Sequence, residues 1–142
     1  MSLDVKYRTS ALANGGGRTG ITALDSGLLT VTMASPKELG GSGKGHNPEE
    51  LFAMGYAACF LSALRAAARM QKLGDVPEDA TVSATVGIGA RSEGGFGLEV
   101  ALKVSLPGVA PDLAQTMVEA AHAVCPYSNA TRGNIDVALS LA

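Results

Sequence analysis

The chain has few of the residues that mark specialised classes of protein. Its 142 residues include two Cys, two His and no Trp, and 17% of them are charged. Two cysteines are too few for the disulfide framework of a small secreted protein. The formal net charge of −2 offers no basic surface for nucleic acid or for an anionic membrane. Small molecules or other proteins are therefore the expected partners.

Long apolar segments are also scarce. Residues 1–10 contain no apolar core of a signal sequence. The apolar run at residues 51–64 is shorter than the roughly 20 residues that a membrane-spanning helix needs. A chain of this length fits one core. We therefore expect a single domain over residues 1–142, located in the cytoplasm.

The longest helical pattern runs over Asn47–Lys72 and carries Cys59 near its centre. Its first residue and Glu50 fit a capping box, and Pro48 suits the first helical position because its ring fixes φ. Residues 51–64 are nearly all apolar or small, so we expect other elements to bury this helix on all sides. A thiol would then be held rigidly inside the fold.

Alternation of apolar and polar residues predicts six strands. The first covers residues 3–11, and two more at residues 18–24 and 28–33 complete a meander of three. Later strands are predicted at residues 82–88, 96–106 and 135–141. The glycine-rich segment 40–46 is expected to be a loop. It is not a phosphate-binding loop, because Glu38 and Gly45 occupy positions where that motif needs Gly and Ser or Thr.

A second amphipathic helix is predicted over residues 111–124, and Pro126 should end it. Its expected inner side comprises Leu113, Met117, Val118, Ala121 and Val124. The resulting order βββ-α-ββ-α-β favours hairpins over βαβ crossovers. We therefore predict an α+β fold in which an antiparallel sheet of about six strands packs on the two helices.

Helix geometry limits which groups can meet Cys59. Glu49 lies ten residues earlier, about 15 Å away along a helix axis, so it cannot reach the thiol of its own chain. Gly55 and the alanines after Tyr56 are small enough for two copies of the helix to pack antiparallel near Met54. This hypothetical two-fold arrangement would bring Glu49 of one subunit towards Cys59 of the other.

Two segments carry a specific resemblance. CPYSNATRGN at residues 125–134 and NPEELFAMGYAACF at residues 47–60 resemble the organic hydroperoxide resistance proteins, a branch of the larger osmotically induced protein C (OsmC) family. GIG at residues 87–89 and GGFGLEV at residues 94–100 extend the similarity over essentially the whole chain. The resemblance implies an intertwined homodimer with an OsmC-like fold and two active sites at the subunit interface.

The resemblance also implies roles for four residues. Cys59 would be the peroxidatic cysteine, Cys125 the resolving cysteine, and Arg18 and Glu49 the pair that sets the state of Cys59. The chemistry is consistent, since a buried thiol keeps a raised pKa unless a cation stands beside it. Arg18 is always charged, and its planar fork can hold a carboxylate on one side while it faces sulfur on the other. Cys59 would become a sulfenic acid and then condense with Cys125.

The substrate and the reductant can also be anticipated. Apolar surface for a pocket would come from Phe52, Tyr56, Phe96, Leu98 and Tyr127. Such a pocket favours alkyl or fatty-acid hydroperoxides over hydrogen peroxide. The resemblance implies the same preference, and it implies reduction by lipoyl groups on carrier proteins. We predict neither a metal nor a cofactor.

Other interpretations of the same residues remain open. Both cysteines could be packing residues, because a free thiol behaves as a small hydrophobe. Oxidation of Cys59 could serve a redox sensor or small-ligand binding module. With His122 as a base, Cys59 could be the nucleophile of a cysteine hydrolase. A metal site built from both cysteines, His46 and His122 has no supporting spacing.

Overall fold

The computed structural model describes residues 2–142 and has the predicted α+β class, with six strands and three α-helices among these residues. By its internal contacts the chain divides into a first unit, up to Leu51, and a second unit, Phe52–Ala142. The strands fall into two three-stranded sheets, one in each unit, instead of one larger sheet. That residues 1–142 act as one domain stays a prediction.

The first unit contains the predicted meander, in shorter form. Antiparallel pairing joins β1 (Ala11–Asn14) to β2 (Ile21–Leu24), and β2 to β3 (Thr30–Thr32). The connection between β1 and β2 is a glycine-rich turn in which Gly15 and Gly17 have positive φ angles of 64° and 66°. Arg18 lies in this turn, so the prediction that it begins a strand is wrong.

The predicted strand at residues 3–11 is also wrong, because β1 begins only at Ala11. Leu3 and Tyr7 are 76% and 80% exposed, and residues 3–10 have no strand assignment. A strand requires a neighbouring backbone to accept and donate its hydrogen bonds. Within the described part of the chain residues 3–10 belong to no sheet, so their alternation did not suffice to form a strand.

The glycine-rich segment 40–46 is a loop, as predicted, and backbone hydrogen bonds hold its end. The His46 N–H donates to the Thr32 carbonyl at 3.0 Å, and the Ala34 N–H donates to the His46 carbonyl at 2.8 Å. A Cβ atom at Gly41 would overlap the Ser35 carbonyl oxygen. The loop therefore needs a glycine where it passes closest to the chain that leaves β3.

Helix α1 (Pro48–Met70) starts as the sequence predicted. The Glu50 N–H donates to Asn47 Oδ1 at 2.9 Å, and the Asn47 N–H donates to Glu50 Oε2 at 3.3 Å. These are the two reciprocal bonds of a capping box. After the last turn the backbone takes positive φ at Lys72 (54°) and at Gly74 (107°), which ends the helix.

The prediction that α1 is buried on all sides is wrong for the single chain. Tyr56, Phe60 and Leu64 are fully buried and form one face at helical spacing. Met54 is 68% exposed, and Ala58 and Ser62 follow it at the same spacing on an exposed face. The all-round apolar pattern therefore exceeds what one chain buries.

Helix α1 also meets the length and composition of a membrane span. It has 23 residues, and an 18-residue window has a mean hydropathy of 1.5. The apolar run at residues 51–64 is shorter than a membrane span, but the helix that contains it is longer than this run. The core helices of soluble proteins meet the same criteria, so length and composition decide nothing about α1.

In the second unit, β4 (Thr81–Ala90) and β5 (Phe96–Ser105) form the predicted long hairpin. The last strand, β6 (Val137–Leu141), pairs with β5 in parallel. The expectation of purely antiparallel pairing is therefore wrong for this pair. The connection between β5 and β6 contains helices and is long enough for the crossover that parallel strands require.

Helix α2 (Pro111–Val124) has the predicted bounds, but its inner face is shifted. Leu113 and Val124 are 37% and 40% exposed. The buried residues of α2 are Ala114, Met117, Val118, Ala120 and Ala121. Pro126 ends α2 as predicted. It also begins a short helix, α3 (Pro126–Thr131), which is absent from the order of elements predicted from the sequence. Its fixed φ and missing N–H suit both positions.

Candidate active site

The two cysteines lie next to each other in the second unit. Cys59 is on α1, Cys125 is the junction residue between α2 and α3, and their Sγ atoms are 3.7 Å apart. Both are free thiols, and Cys125 is fully buried. A disulfide bond is about 2.05 Å long, so the two sulfurs would have to approach by about 1.7 Å to bond.

Two helix ends fix the backbone of Cys125. Its N–H donates to the Ala121 carbonyl at 2.8 Å, which closes the last turn of α2. Its carbonyl accepts from the Asn129 N–H at 2.9 Å, which opens the first turn of α3. Between these bonds its own ψ is 125°, which is not helical. The thiol therefore projects from a sharp change of direction that both helices hold.

The surroundings of Cys59 oppose its ionisation. Burial raises the pKa of the Cys59 thiol, and the neighbouring thiol of Cys125 raises that pKa further. The backbone N–H of Tyr127 acts in the other direction, because a hydrogen bond to sulfur favours the thiolate. The net shift is upward. A reactive thiolate at this position therefore needs additional stabilisation.

Arg18 and Glu49 form a two-pronged ion pair in the first unit. Nη1 of Arg18 donates to Oε2 of Glu49 at 3.0 Å, and Nη2 donates to Oε1 at 2.6 Å. The Glu49 side chain is 11% exposed and that of Arg18 is 40% exposed. Hydrogen bonding to Arg18 lowers the pKa of Glu49, and the same bond raises the pKa of Arg18. The pair therefore presents an oriented guanidinium.

Local structure explains how these two side chains meet. Arg18 follows Gly17, whose φ of 66° turns the chain back after β1. Glu49 is in the first turn of α1, where a carboxylate also complements the helix dipole. The structure thus brings together Arg18 with Glu49 and, separately, Cys59 with Cys125. The action of Arg18 on Cys59 stays a prediction.

Three of the five predicted pocket residues line one groove in the second unit. Phe52, Phe96 and Leu98 border a space of about 490 Å³, and Arg91 and Glu93 lie at the same groove. Phe96 is 74% exposed. Arg91 and Glu93 form a pair at 3.5 Å. The lining of the groove is therefore mixed, because its apolar side chains share it with the Arg91–Glu93 pair and with Thr131 and Asn134.

The other two predicted pocket residues occupy a neighbouring aromatic cluster. The ring centroid of Tyr127 is 5.9 Å from that of Phe52 and 5.6 Å from that of Tyr56. Tyr56 is fully buried, so its ring belongs to the core. A Cβ atom at Gly55 would come within 2.9 Å of the Tyr127 hydroxyl. Gly55 therefore leaves room for Tyr127 to lie against α1.

Sequence reasoning missed a buried polar cluster beside Cys125. The Tyr56 hydroxyl contacts Ser128 Oγ at 2.9 Å and Thr131 Oγ1 at 3.2 Å. His122 Nδ1 contacts Ser128 Oγ at 2.9 Å. Ser128 and Thr131 follow Cys125 in the sequence and could have indicated this cluster. Their spacing shows that they are buried only once the helix α3 is known.

The comparison with known proteins identifies the family. The OsmC-like protein family matches residues 41–140 of the chain. The organic hydroperoxide resistance protein of Xanthomonas axonopodis pv. citri is 49% identical over 139 residues, which cover 97% of this chain and 96% of that protein. This chain belongs to the organic hydroperoxide resistance branch of the OsmC-like family.

Solved structures of OsmC-like proteins have the same fold. An organic hydroperoxide resistance protein from Legionella pneumophila superposes with a TM-score of 0.90 at 47% identity, covering 98% of this chain and 99% of that chain. OhrB of Bacillus subtilis superposes with a TM-score of 0.86 at 39% identity, covering 97% and 100%. The OsmC-like fold predicted from the motifs is therefore confirmed.

Two alternative interpretations, His122 as a base for a thiol and a metal site, can be compared with the contacts in this OsmC-like chain. His122 Nδ1 contacts the Ser128 hydroxyl, and its ring centroid is 6.5 Å from that of Phe60. That His122 serves as a base for a thiol stays an alternative interpretation. Residues 2–142 contain no group of three or more His, Cys, Asp or Glu side chains arranged to hold a metal ion.

Proposed function

We propose that the protein is a thiol peroxidase that reduces organic hydroperoxides to alcohols. The observation that carries the proposal is the 3.7 Å separation of the Cys59 and Cys125 sulfurs in a chain that holds both as free thiols. Relatives that are 40–49% identical over nearly the whole chain are named organic hydroperoxide resistance proteins. Peroxide reduction by paired thiols accounts for both facts.

In the first step, the thiolate of Cys59 attacks the terminal oxygen of the hydroperoxide. A sulfur–oxygen bond forms, the O–O bond breaks, and the alkoxide takes up a proton and leaves as the alcohol. Because burial raises the pKa of the Cys59 thiol, the thiolate needs a cation. We assign this role to Arg18, with Glu49 fixing the direction of its guanidinium.

In the second step, the Cys125 thiol attacks the sulfur of the Cys59 sulfenic acid. The S–O bond breaks, water leaves with the thiol proton, and the Cys59–Cys125 disulfide forms. Cys125 is buried, so the sulfenic acid would meet this thiol before it meets a second peroxide molecule. Fast condensation would protect Cys59 from irreversible oxidation to the sulfinic acid.

The cycle closes when a dithiol reduces the disulfide. Two thiols of a lipoyl group would give up two protons and two electrons, form their own cyclic disulfide and restore both cysteines. The resemblance to the family supports the lipoyl donor. A compact dithiol also suits the buried position of Cys125, because one small molecule can complete both exchanges.

The substrates in this proposal are alkyl and fatty-acid hydroperoxides. The groove bordered by Phe52, Phe96 and Leu98 offers apolar surface of a size that suits an alkyl chain. Burying each CH₂ group of such a chain stabilises the complex by about 0.8 kcal/mol. Hydrogen peroxide has no apolar part and would gain nothing from this lining.

The working form in this proposal is a cytoplasmic homodimer with its sites at the interface. The exposed face of α1 at Met54, Ala58 and Ser62 belongs to an otherwise apolar helix, and a second copy would cover it. Static light scattering at micromolar concentration should give twice the 14.3 kDa mass of the chain. A monomer under those conditions would remove the interface from the proposal.

Steady-state turnover tests the central claim. With cumene hydroperoxide and dihydrolipoamide, the wild-type protein should consume many equivalents of peroxide. In the same assay Cys59→Ser should consume no peroxide. Cys125→Ser should consume one equivalent and then stop, because it forms no Cys59–Cys125 disulfide for the dithiol to reduce. Full cycling by Cys125→Ser would remove the resolving role. A wild-type protein that stops after one equivalent with every dithiol would instead be a redox sensor.

Replacing dihydrolipoamide by thioredoxin in the same assay tests the donor separately. The proposal expects turnover with the lipoyl dithiol and little or none with thioredoxin. Turnover with thioredoxin alone would contradict the lipoyl donor, but it would leave the chemistry at Cys59 and Cys125 intact.

A further inference from the structure

The buried polar cluster beside Cys125 connects all three helices of the second unit. Tyr56 comes from α1, His122 from α2, and Ser128 and Thr131 from α3. Tyr56 and Ser128 are fully buried, and Thr131 is 4% exposed. His122 is three residues before Cys125, and Ser128 is three residues after it. The bond between them therefore bridges the junction at which Cys125 lies.

One direction of the hydrogen bonds satisfies all four contacts in this cluster. A carbonyl oxygen can only accept, so the Thr131 hydroxyl donates to the Ser128 carbonyl at 3.2 Å. Thr131 Oγ1 then accepts from the Tyr56 hydroxyl. The Tyr56 oxygen accepts from the Ser128 hydroxyl, and Ser128 Oγ accepts from His122 Nδ1–H. Each hydroxyl has a single proton, so any other order breaks one bond.

This order fixes the tautomer of His122. Burial lowers the pKa of His122, and the nearby charge of Arg132 lowers it further, so the environment favours the neutral ring. A neutral ring carries one proton, which the chain of bonds places on Nδ1. A guanidinium N–H of Arg132 also donates to the backbone carbonyl of His122. This is a second hydrogen bond across the junction between α2 and α3.

We propose that His122 is a positioning residue for Cys125. Its Nδ1–H donates a hydrogen bond to Ser128 Oγ and so restrains the first turn of α3. This restraint keeps the Cys125 thiol directed at Cys59. This inference rests on the proposed function, because it concerns the step in which Cys125 condenses with the sulfenic acid. His122 touches neither sulfur in this role, and it acts only on the geometry of that step.

The condensation is the step that depends most on this geometry. The sulfurs must approach by about 1.7 Å from their present separation, along a line that also lets water leave from Cys59. Without the bond from His122, the Cys125 side of the junction gains freedom and spends less time in the reactive arrangement. Cys125 is not a reactant in the first step, the attack of Cys59 on peroxide. The two steps should therefore respond differently to changes at His122.

The experiment compares His122→Asn with His122→Leu. The Asn side chain can present an N–H near the position of Nδ1, whereas Leu fills similar space without a donor. Each protein is mixed with one equivalent of cumene hydroperoxide, and mass spectrometry of quenched samples follows the sulfenic acid and the disulfide. We expect His122→Leu to form the disulfide about tenfold more slowly than wild type, and His122→Asn to recover most of that rate. Dimedone should trap more sulfenic acid in His122→Leu.

A matched control comes from the outer face of the same helix. Thr116 is exposed on α2, and its hydroxyl donates to the Asp112 carbonyl at 3.0 Å, on the face away from the cluster. Thr116→Ala should leave the rates of both steps unchanged. Equal rates of disulfide formation in His122→Leu and wild type would overturn the inference. So would an equal slowing of the first and second steps, because that pattern indicates general destabilisation.

A measurement on the wild-type protein covers the case in which His122→Leu does not fold. Long-range ¹H–¹⁵N NMR correlations at pH 7 should show His122 protonated on Nδ1 and bare on Nε2. The opposite tautomer would overturn the inference. If wild-type protein with the expected tautomer forms no Cys59–Cys125 disulfide, the proposed function fails, and with it the positioning role.

Discussion

Oxidation of the two cysteines should stabilise the folded protein by an amount that the structure allows us to estimate. Cys59 and Cys125 are 66 positions apart, so their disulfide closes a long loop in the unfolded chain. The chain-entropy relation gives about 4 kcal/mol at 25 °C for a loop of this length. Moving the sulfurs together by about 1.7 Å costs part of this gain, so we expect a net increase of roughly 2–4 kcal/mol.

Urea unfolding of the reduced and the oxidised protein measures this difference. One sample is kept in a phosphine reductant and the other receives one equivalent of cumene hydroperoxide, at equal protein concentrations. For a chain of this size each kcal/mol shifts the thermal midpoint by about 3 °C, so heating should show a rise of roughly 6–12 °C. Cys125→Ser treated in the same way is the matched control and should show no rise.

An oxidised protein that is no more stable than the reduced protein would refute the estimate. Mass spectrometry must first show an intramolecular bond between Cys59 and Cys125 in the oxidised sample. If that sample then unfolds at the same or a lower urea concentration than the reduced sample, forming the bond requires the helices to distort. The sulfurs would then be close in the reduced protein without being arranged for bonding, and the second step of the proposed cycle would lose its structural basis.

Three further predictions concern the residues around the cysteine pair. Arg18→Ala should raise the pH at which iodoacetamide alkylates Cys59, whereas Arg8→Ala, at an exposed position, should not; an unchanged profile for Arg18→Ala would contradict its role as the cation. Hydrogen bonding to Arg18 holds the pKa of Glu49 below its usual value. The ion pair therefore stabilises the folded protein at pH values above the ordinary Glu pKa of about 4.3. This stabilisation is lost as the pH falls through the lowered pKa of Glu49. The difference in unfolding free energy between wild type and Glu49→Gln should therefore shrink to zero in acid, and a constant difference would count against the pair. Cumene hydroperoxide should react faster than hydrogen peroxide, and Leu98→Asp should reduce that preference; comparable wild-type rates would remove the argument from the groove.

Local signals predicted the two long helices, α1 and α2, close to their observed bounds. The start of α1 depends on Asn47, Pro48 and Glu50, which are neighbours in sequence, and their capping bonds form as expected. The bounds of α2 follow from prolines on both sides of an amphipathic stretch. The hairpin of β4 and β5 is also local, because its two strands are joined by a short turn. In each case the chain near the element contains the information that fixes it.

Features that depend on contacts between distant segments could not be predicted from residues that are neighbours in sequence. Residues 3–10 have the alternation of a strand, but alternation does not supply a pairing partner. The direction of β6 depends on how the chain crosses the sheet, and the missed helix α3 is six residues long, which is too short to show a period. The buried face of α2 includes Ala114 and Ala120, whereas Leu113 and Val124 are partly exposed. Packing of distant segments decides each of these features.

The motifs indicated Cys59, Cys125, Arg18 and Glu49 as site residues, and the structure adds a constraint that no motif contains. The burial that places Cys125 beside Cys59 also raises the pKa of the Cys59 thiol, so positioning and activation oppose each other at the same sulfur. In our proposal different groups supply positioning and activation. The helices and His122 position the two sulfurs, and Arg18 stabilises the thiolate of Cys59. The two classes of variant should then separate kinetically. Arg18→Ala should slow the reaction with peroxide and leave condensation of a preformed sulfenic acid unchanged, whereas His122→Leu should do the reverse. If both variants slow the same step, positioning and activation are not separate, and a single network controls both sulfurs.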